Sequence, residues 1–144
     1  MSNISERLKE FLILNNLNAS SLSKKVDIDR STISALLRGE HLPSIDTLLK
    51  LVIFFNCSAD YLLGLTDDYP EKNYRLKDEN FGERFRKLLK KSKISQYQLE
   101  KKFKISSSLI YRWLHNVSLP TPFYLMKLSQ YLEVSVDELL GFGN

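Results

Sequence analysis

The chain has few of the residues that carry covalent or metal chemistry. Its one cysteine, Cys57, excludes a disulfide framework and a thiolate metal cluster and reads as a small core residue. Its two histidines, His41 and His115, stand at no metal-ligand spacing. Its five glycines form no phosphate-cradling loop, and no nucleophile–base pair is visible. Neither an enzyme nor a cofactor is expected. Long apolar runs are also missing. "FLILNNL" at residues 11–17 is too short for the core of a signal peptide and follows Glu6, Lys9 and Glu10. No stretch is long enough to cross a bilayer. These absences point to a soluble cytoplasmic protein with no membrane partner. Period-two alternation is almost absent, so strands are not expected.

What is present is a repeat. Sliding the sequence over itself by 77 positions aligns Asn3–Leu65 with Asn80–Phe142 without a gap, and about a third of the positions are identical. They include Arg7/Arg84, Leu22/Leu99, Ile33/Ile110, Pro43/Pro120, Asp60/Asp137 and Gly64/Gly141. Two copies make two small domains, not a solenoid. The predicted layout is a first domain over 1–66, a linker over 67–79 and a second domain over 80–144. The linker is polar, mixed in charge and broken by Pro70.

Each repeat reads as five short helices, so the predicted class is all-α. Asn3 and Asn80 open the first helix as capping-box-like starts with Glu6 and Glu83. Asn18 and Ser95 open the second, Asp29 and Ser106 the third, Ser44 and Thr121 the fourth, and Ser58 and Ser135 the fifth. Pro122 takes the favoured first helical position, and Gly64 and Gly141 end the fifth helix.

The third helix shows most clearly what differs between the copies. In "DRSTISALLRG" the apolar residues Ile33, Leu36 and Leu37 share one face, leaving Arg30, Ser31, Ser34, Ala35 and Arg38 outside. In "SSSLIYRWLHN" the inward set is Ile110, Trp113 and Leu114, with Ser107, Ser108, Tyr111 and Arg112 outside. Charge differs too. Met1–Thr66 holds seven basic and seven acidic residues, whereas Phe81–Asn144 holds eleven against five; the whole chain is +4. A basic domain suits an anionic partner.

The segments "NASSLSKKVDIDRSTISALLRG" and "SQYQLEKKFKISSSLIYRWLHN", with Pro43 or Pro120 following, resemble the lambda-repressor-like helix-turn-helix of XRE-family regulators. The likeness covers almost the whole chain, once per repeat. It implies that the third helix enters the major groove of double-stranded DNA. The implied DNA contacts are Arg30, Ser31, Ser34, Ala35 and Arg38 in the first repeat. In the second they are Ser107, Ser108, Tyr111, Arg112 and His115, together with Gln96, where the family often keeps a phosphate-holding Gln. The first repeat has Ala19 there. Arg suits guanine because its fork reaches O6 and N7 together.

Departures from the family pattern are visible. Where the family pairs an Arg in the first helix with a Glu in the third, this chain has Leu12 with Leu37 and Leu89 with Leu114. The turn glycine is Asp27 or Lys104. Glu100 replaces a small residue in the second helix, which predicts a looser second turn.

Apolar residues follow the opposite trend to charge. Ile13, Leu14, Val52 and Ile53 in the first repeat correspond to Lys90, Lys91, Ser129 and Gln130 in the second. The second repeat thus shows the fold without them, which marks the four as a candidate interface. The expected function is a sequence-specific transcriptional regulator, a repressor acting by promoter occupancy, as a homodimer and with a protein or peptide as any effector. The alternative is a protein-interaction module such as an antitoxin or adaptor.

Overall fold

In the computed structural model, which describes residues 3–68, 75–76 and 80–143, the chain is all-α. The first domain holds α1 (Ile4–Leu14), α2 (Ala19–Val26), α3 (Arg30–Leu37), α4 (Ile45–Phe55) and α5 (Ala59–Leu62). The second holds α6 (Phe81–Ser92), α7 (Gln96–Phe103), α8 (Ser107–Leu114), α9 (Pro122–Leu132) and α10 (Val136–Leu140). The ten expected cap positions are the ten observed ones. In eight of them the side chain accepts the hydrogen bond of a first-turn amide that has no partner within its helix. The exceptions correct the sequence reading: Asp29 and Thr121 hold the cap position, but their side chains make no cap bond.

The expectation of no strands also needs a correction. Arg75–Leu76 (β1) pairs antiparallel with Phe142–Gly143 (β2), Arg75 opposite Gly143 and Leu76 opposite Phe142. Part of the predicted linker therefore belongs to the second compact unit, which runs from Arg75 to Gly143. The rest of that linker, residues 69–74 and 77–79, lies outside the described residues.

The cores repeat position by position. Leu8, Leu22, Ile33, Leu36, Leu48, Leu51 and Leu62 are fully buried in the first domain; at the same 77-residue offset, Phe85, Leu99, Ile110, Trp113, Leu125, Leu128 and Leu139 are buried in the second. Cys57 is buried as expected. Both copies also bury an arginine from their first helix. Arg7 donates from Nη2 to Thr66 O at 3.1 Å and to Asp67 Oδ1 at 2.7 Å, with its guanidinium 3.9 Å from the centre of the Tyr61 ring. Arg84 donates from Nε to Leu139 O at 3.0 Å. These residues tie the first helix to the chain's exit from the fifth, a role their identity at the 77-residue offset did not reveal.

Backbone conformation repeats more faithfully than residue type. Left-handed residues occur at Asn16, Asp27, Gly39, Asn56 and Gly64, and again at Lys93, Lys104, Asn116, Glu133 and Gly141, each pair 77 apart. Only the last pair is glycine in both copies. A non-glycine residue in this region costs about 1–2 kcal/mol, less for Asn and Asp, so Lys93, Lys104 and Glu133 sit furthest from local preference.

The first and third helices approach each other through two different solutions. In the first domain the Ser5 hydroxyl donates to Leu37 O at 2.6 Å. At the equivalent Gly82, a Cβ would clash with Leu114 O, and the Gly82 amide instead donates to Asn116 Oδ1 at 2.8 Å. Serine opposite Gly39 has become glycine opposite Asn116, so the space vacated on one helix is used by a side chain from the turn.

Candidate nucleic-acid interface

The bend between the second and third helices sets the direction of the outward face. It turns at Asp27 (φ 55°, ψ 50°) and at Lys104 (φ 53°, ψ 49°). The two turns are the same, so Glu100 does not loosen the second one. It lies half-buried on α7, and its carbonyl accepts from Ile105 N at 3.2 Å. In the first domain Lys50 Nζ donates to Asp27 O at 3.0 Å and fastens α4 to the end of α2.

Downstream of the second turn, Trp113 is buried against Phe85 and Tyr124 (ring centroids 6.2 and 5.5 Å apart), which fixes the rotation of α8. Ser107, Ser108, Tyr111, Arg112 and His115 consequently face solvent, and Gln96 joins them from the first turn of α7. Gln96, Ser107, Ser108, Tyr111, Arg112 and Val117 line one open concavity of about 540 Å³. His115 lies outside it but stacks on Tyr111, with ring centroids 3.9 Å apart and planes at 27°. The sequence reading missed Val117, although the 77-residue offset sets it opposite Glu40 and so marks a charge exchanged for an apolar group.

The first domain brings together less of its predicted set. Arg30 and Ser31 are exposed and Ser34 is half-buried. Ala35 is a correction: its short side chain is buried, whereas the long Arg112 side chain reaches solvent from the same helix position. Arg38 is exposed but engaged, with Nε 2.8 Å from Glu40 Oε1 and Nη2 3.3 Å from Oε2. Hydrogen bonding and charge attraction from Arg38 hold the Glu40 carboxyl below the ordinary carboxylate range, and the same contact raises Arg38. The pair leaves a carboxylate beside the last turn of α3, where the second domain has Val117.

A second surface repeats in both domains, between the ends of the second and fourth helices. Lys25, Val26, Lys50, Ile53 and Phe54 line about 270 Å³ in the first domain. The residues 77 further on, Lys102, Phe103, Lys127, Gln130 and Tyr131, line about 500 Å³ in the second. Ile13, Leu14 and Ile53 of the predicted interface are 80%, 73% and 68% exposed. Val52 is a correction, since it is fully buried. Its counterpart Ser129 is buried as well, so a polar residue there was no sign of exposure; a small hydroxyl fits the same buried position. Among the described residues no group of three or more His, Cys, Asp or Glu could hold a metal ion, and no helix is long and apolar enough to cross a membrane.

Comparison with known proteins adds to this geometry. The helix-turn-helix family model HTH_3 matches the chain twice, over residues 8–62 and 85–139. The chain belongs to this family, with one copy in each domain, and its likeness to XRE-type regulators holds for both repeats. It is 32% identical over 62 residues to the uncharacterized HTH-type transcriptional regulator MJ0272 of Methanocaldococcus jannaschii, covering 43% of this chain and 94% of that protein. It is 30% identical over 79 residues to the uncharacterized HTH-type transcriptional regulator YobD of Bacillus subtilis, covering 55% of this chain and 70% of that protein. A third relative, the HTH-type transcriptional regulator ImmR of Bacillus subtilis, is 36% identical over 70 residues, 49% of this chain and 54% of its own length. No solved structure gives a significant match.

Proposed function

We propose that the chain is a sequence-specific duplex-DNA-binding regulator that reads base edges with α8 and represses by occupying a promoter. The observation that carries this reading is the grouping of Gln96, Ser107, Ser108, Tyr111 and Arg112 around one concavity on a domain whose charge balance is strongly basic. Arg112 is exposed on this face, and its fork suits guanine O6 and N7. Gln96 and His115, at the two ends of the face, suit phosphate contacts that set register. The relatives' names as transcriptional regulators support the same reading.

The two reading faces differ, so a palindromic site requires two chains with half-sites about 34–36 Å apart. The apolar Ile13, Leu14 and Ile53 supply a surface for such a homodimer. The first domain has a second reading, as a protein-interaction module. Its zero net charge, its Arg38–Glu40 pair and this same apolar surface favour contact with protein over contact with phosphate. Selection of binding sites from random duplexes with the full chain tests the proposal. A recovered two-fold site supports a dimer reading with one domain type. Recovery of no sequence preference, with binding that ignores salt, would reject DNA reading.

A further inference from the structure

The outward face of α8 and the turn that follows it carry two exposed apolar groups that a phosphate-contacting surface does not need. Tyr111 is 56% and Val117 58% exposed, and both line the concavity that holds Arg112. The first domain has Ser34 and the ion-paired Glu40 at these positions. The major groove offers hydrogen-bonding atoms and a single apolar feature, the C5-methyl of thymine, which 5-methylcytosine carries at the same place. An exposed ring could also stack on an unpaired base. A duplex offers no unpaired base in its major groove, and His115 already covers one face of Tyr111 at 3.9 Å, leaving one face for a single contact.

We propose that Tyr111 is a specificity-determining residue that packs its ring against one pyrimidine C5-methyl group, thymine in the preferred site, with Val117 closing the apolar wall. His115 is a positioning residue. One helical turn beyond Tyr111, it holds the phenol ring over the concavity and keeps it from sampling other rotamers. The inference rests on the DNA-reading proposal above and deepens it.

Deoxyuridine provides the test, since it removes the methyl and nothing else. With the full chain and its selected duplex, replacing one particular thymine by uracil should weaken binding about four-fold, the value of one buried methyl. Tyr111→Ser, which installs the first domain's residue, should bring the thymine-to-uracil ratio to about one. Tyr111→Phe should leave it unchanged. His115→Ala should lower the ratio without altering the unfolding transition seen by Trp113 fluorescence, and His115→Phe should restore it. If the selected site has cytosine at the position, 5-methylcytosine should strengthen binding by the same factor, which assigns the methyl to that base. A ratio of one at every thymine together with indifference to 5-methylcytosine overturns the proposal. So does a ratio that survives Tyr111→Ser, or a Tyr111→Phe loss that is equal on all sequences, which would place the phenol on a phosphate. A chain that selects no duplex sequence overturns the reading beneath it as well.

Discussion

In the first domain Phe11 stacks on Phe55 at 4.7 Å and meets Tyr61 edge-on at 6.0 Å, so rings join α1 to the ends of α4 and α5. The counterparts of these three in the second domain are Leu88, Leu132 and Glu138. There the rings have moved: Phe85, Trp113 and Tyr124 join α6 to α8 and to the start of α9, where the first domain has Leu8, Leu36 and Thr47. Aromatic rings contribute large buried area at low entropic cost. Each domain has placed them behind the surface that sets it apart from the other. In the second they lie under the exposed face of α8. In the first they lie beside the exposed Ile53 and Phe54 at the end of α4, where Phe54 meets Phe55 edge-on at 5.0 Å. One backbone can thus be stiffened in different places to suit different surfaces.

The sharpest way to break this comparison is at the helix approach where the domains differ. Gly82→Ala should destabilise the second domain by about 3 kcal/mol, because its Cβ meets backbone, which cannot rotate away. Ser5→Ala loses only the bond to Leu37 O, about 1 kcal/mol. Trp113 is the only tryptophan, so its fluorescence reports the second domain alone during denaturation, with circular dichroism following both. Equal effects of the two substitutions would show that the approach is no tighter in the second domain.

The next largest effect concerns reading. Arg112→Ala should cost about 1–3 kcal/mol on the preferred duplex and relax one base position. Arg30→Ala should cost less, since Asp27, Asp29 and Glu40 flank α3 with acid. A salt series on specific and random duplexes separates base reading from phosphate contact. The reverse order of the two effects would assign reading to the first domain.

Asp27→Gly should stabilise the first domain by about 1 kcal/mol, and Lys104→Gly the second by a similar amount, because each relieves a left-handed non-glycine turn. Thermal melts check this. A loss in either variant would mean that its side chain contributes more than the backbone strain.

The smallest effect belongs to the surface pair. Glu40 is held low by Arg38, so whatever the pair contributes is present above the ordinary carboxylate range and disappears only as pH falls through the depressed value. Glu40→Gln should leave the melting temperature near neutral pH almost unchanged, as befits an ion pair on the solvent-exposed surface. If the first domain touches DNA, the variant should bind it more tightly at low salt. No change in a titration would confine that domain to other partners.

Most of the architecture was legible in the sequence because it is local. Caps, apolar spacing and the 77-residue offset are all read along the chain, and the ten cap positions are where Asn3, Ser95 and their kin placed them. What escaped depends on partners distant in sequence or on rotamers. Asp29 occupies its cap position without bonding there. Ser129 looked like evidence of exposure at Val52's position because a buried hydroxyl and a solvated one share one letter. Ala35 is buried where Arg112 is exposed because its side chain ends at Cβ, a difference of reach and not of helix rotation. The predicted reading residues of the second domain lie around one face, and the Tyr111–His115 stack was latent in an i, i+4 spacing that sequence reading took as two separate contacts. The exchange of Ser5 and Gly39 for Gly82 and Asn116 was invisible, since it requires knowing that these helix and turn positions touch.

The five left-handed turns that recur at the same offset make the chain its own parts catalogue. A residue tolerated at one position of the first domain has already been built on the matching backbone of the second, and the reverse. Grafting Tyr111, Arg112, His115 and Val117 onto positions 34, 35, 38 and 40 therefore asks little of the backbone, since Arg112 already reaches solvent from the position that matches Ala35. A chain with two such frames can be re-addressed to a new target by copying a handful of letters from one half of itself to the other.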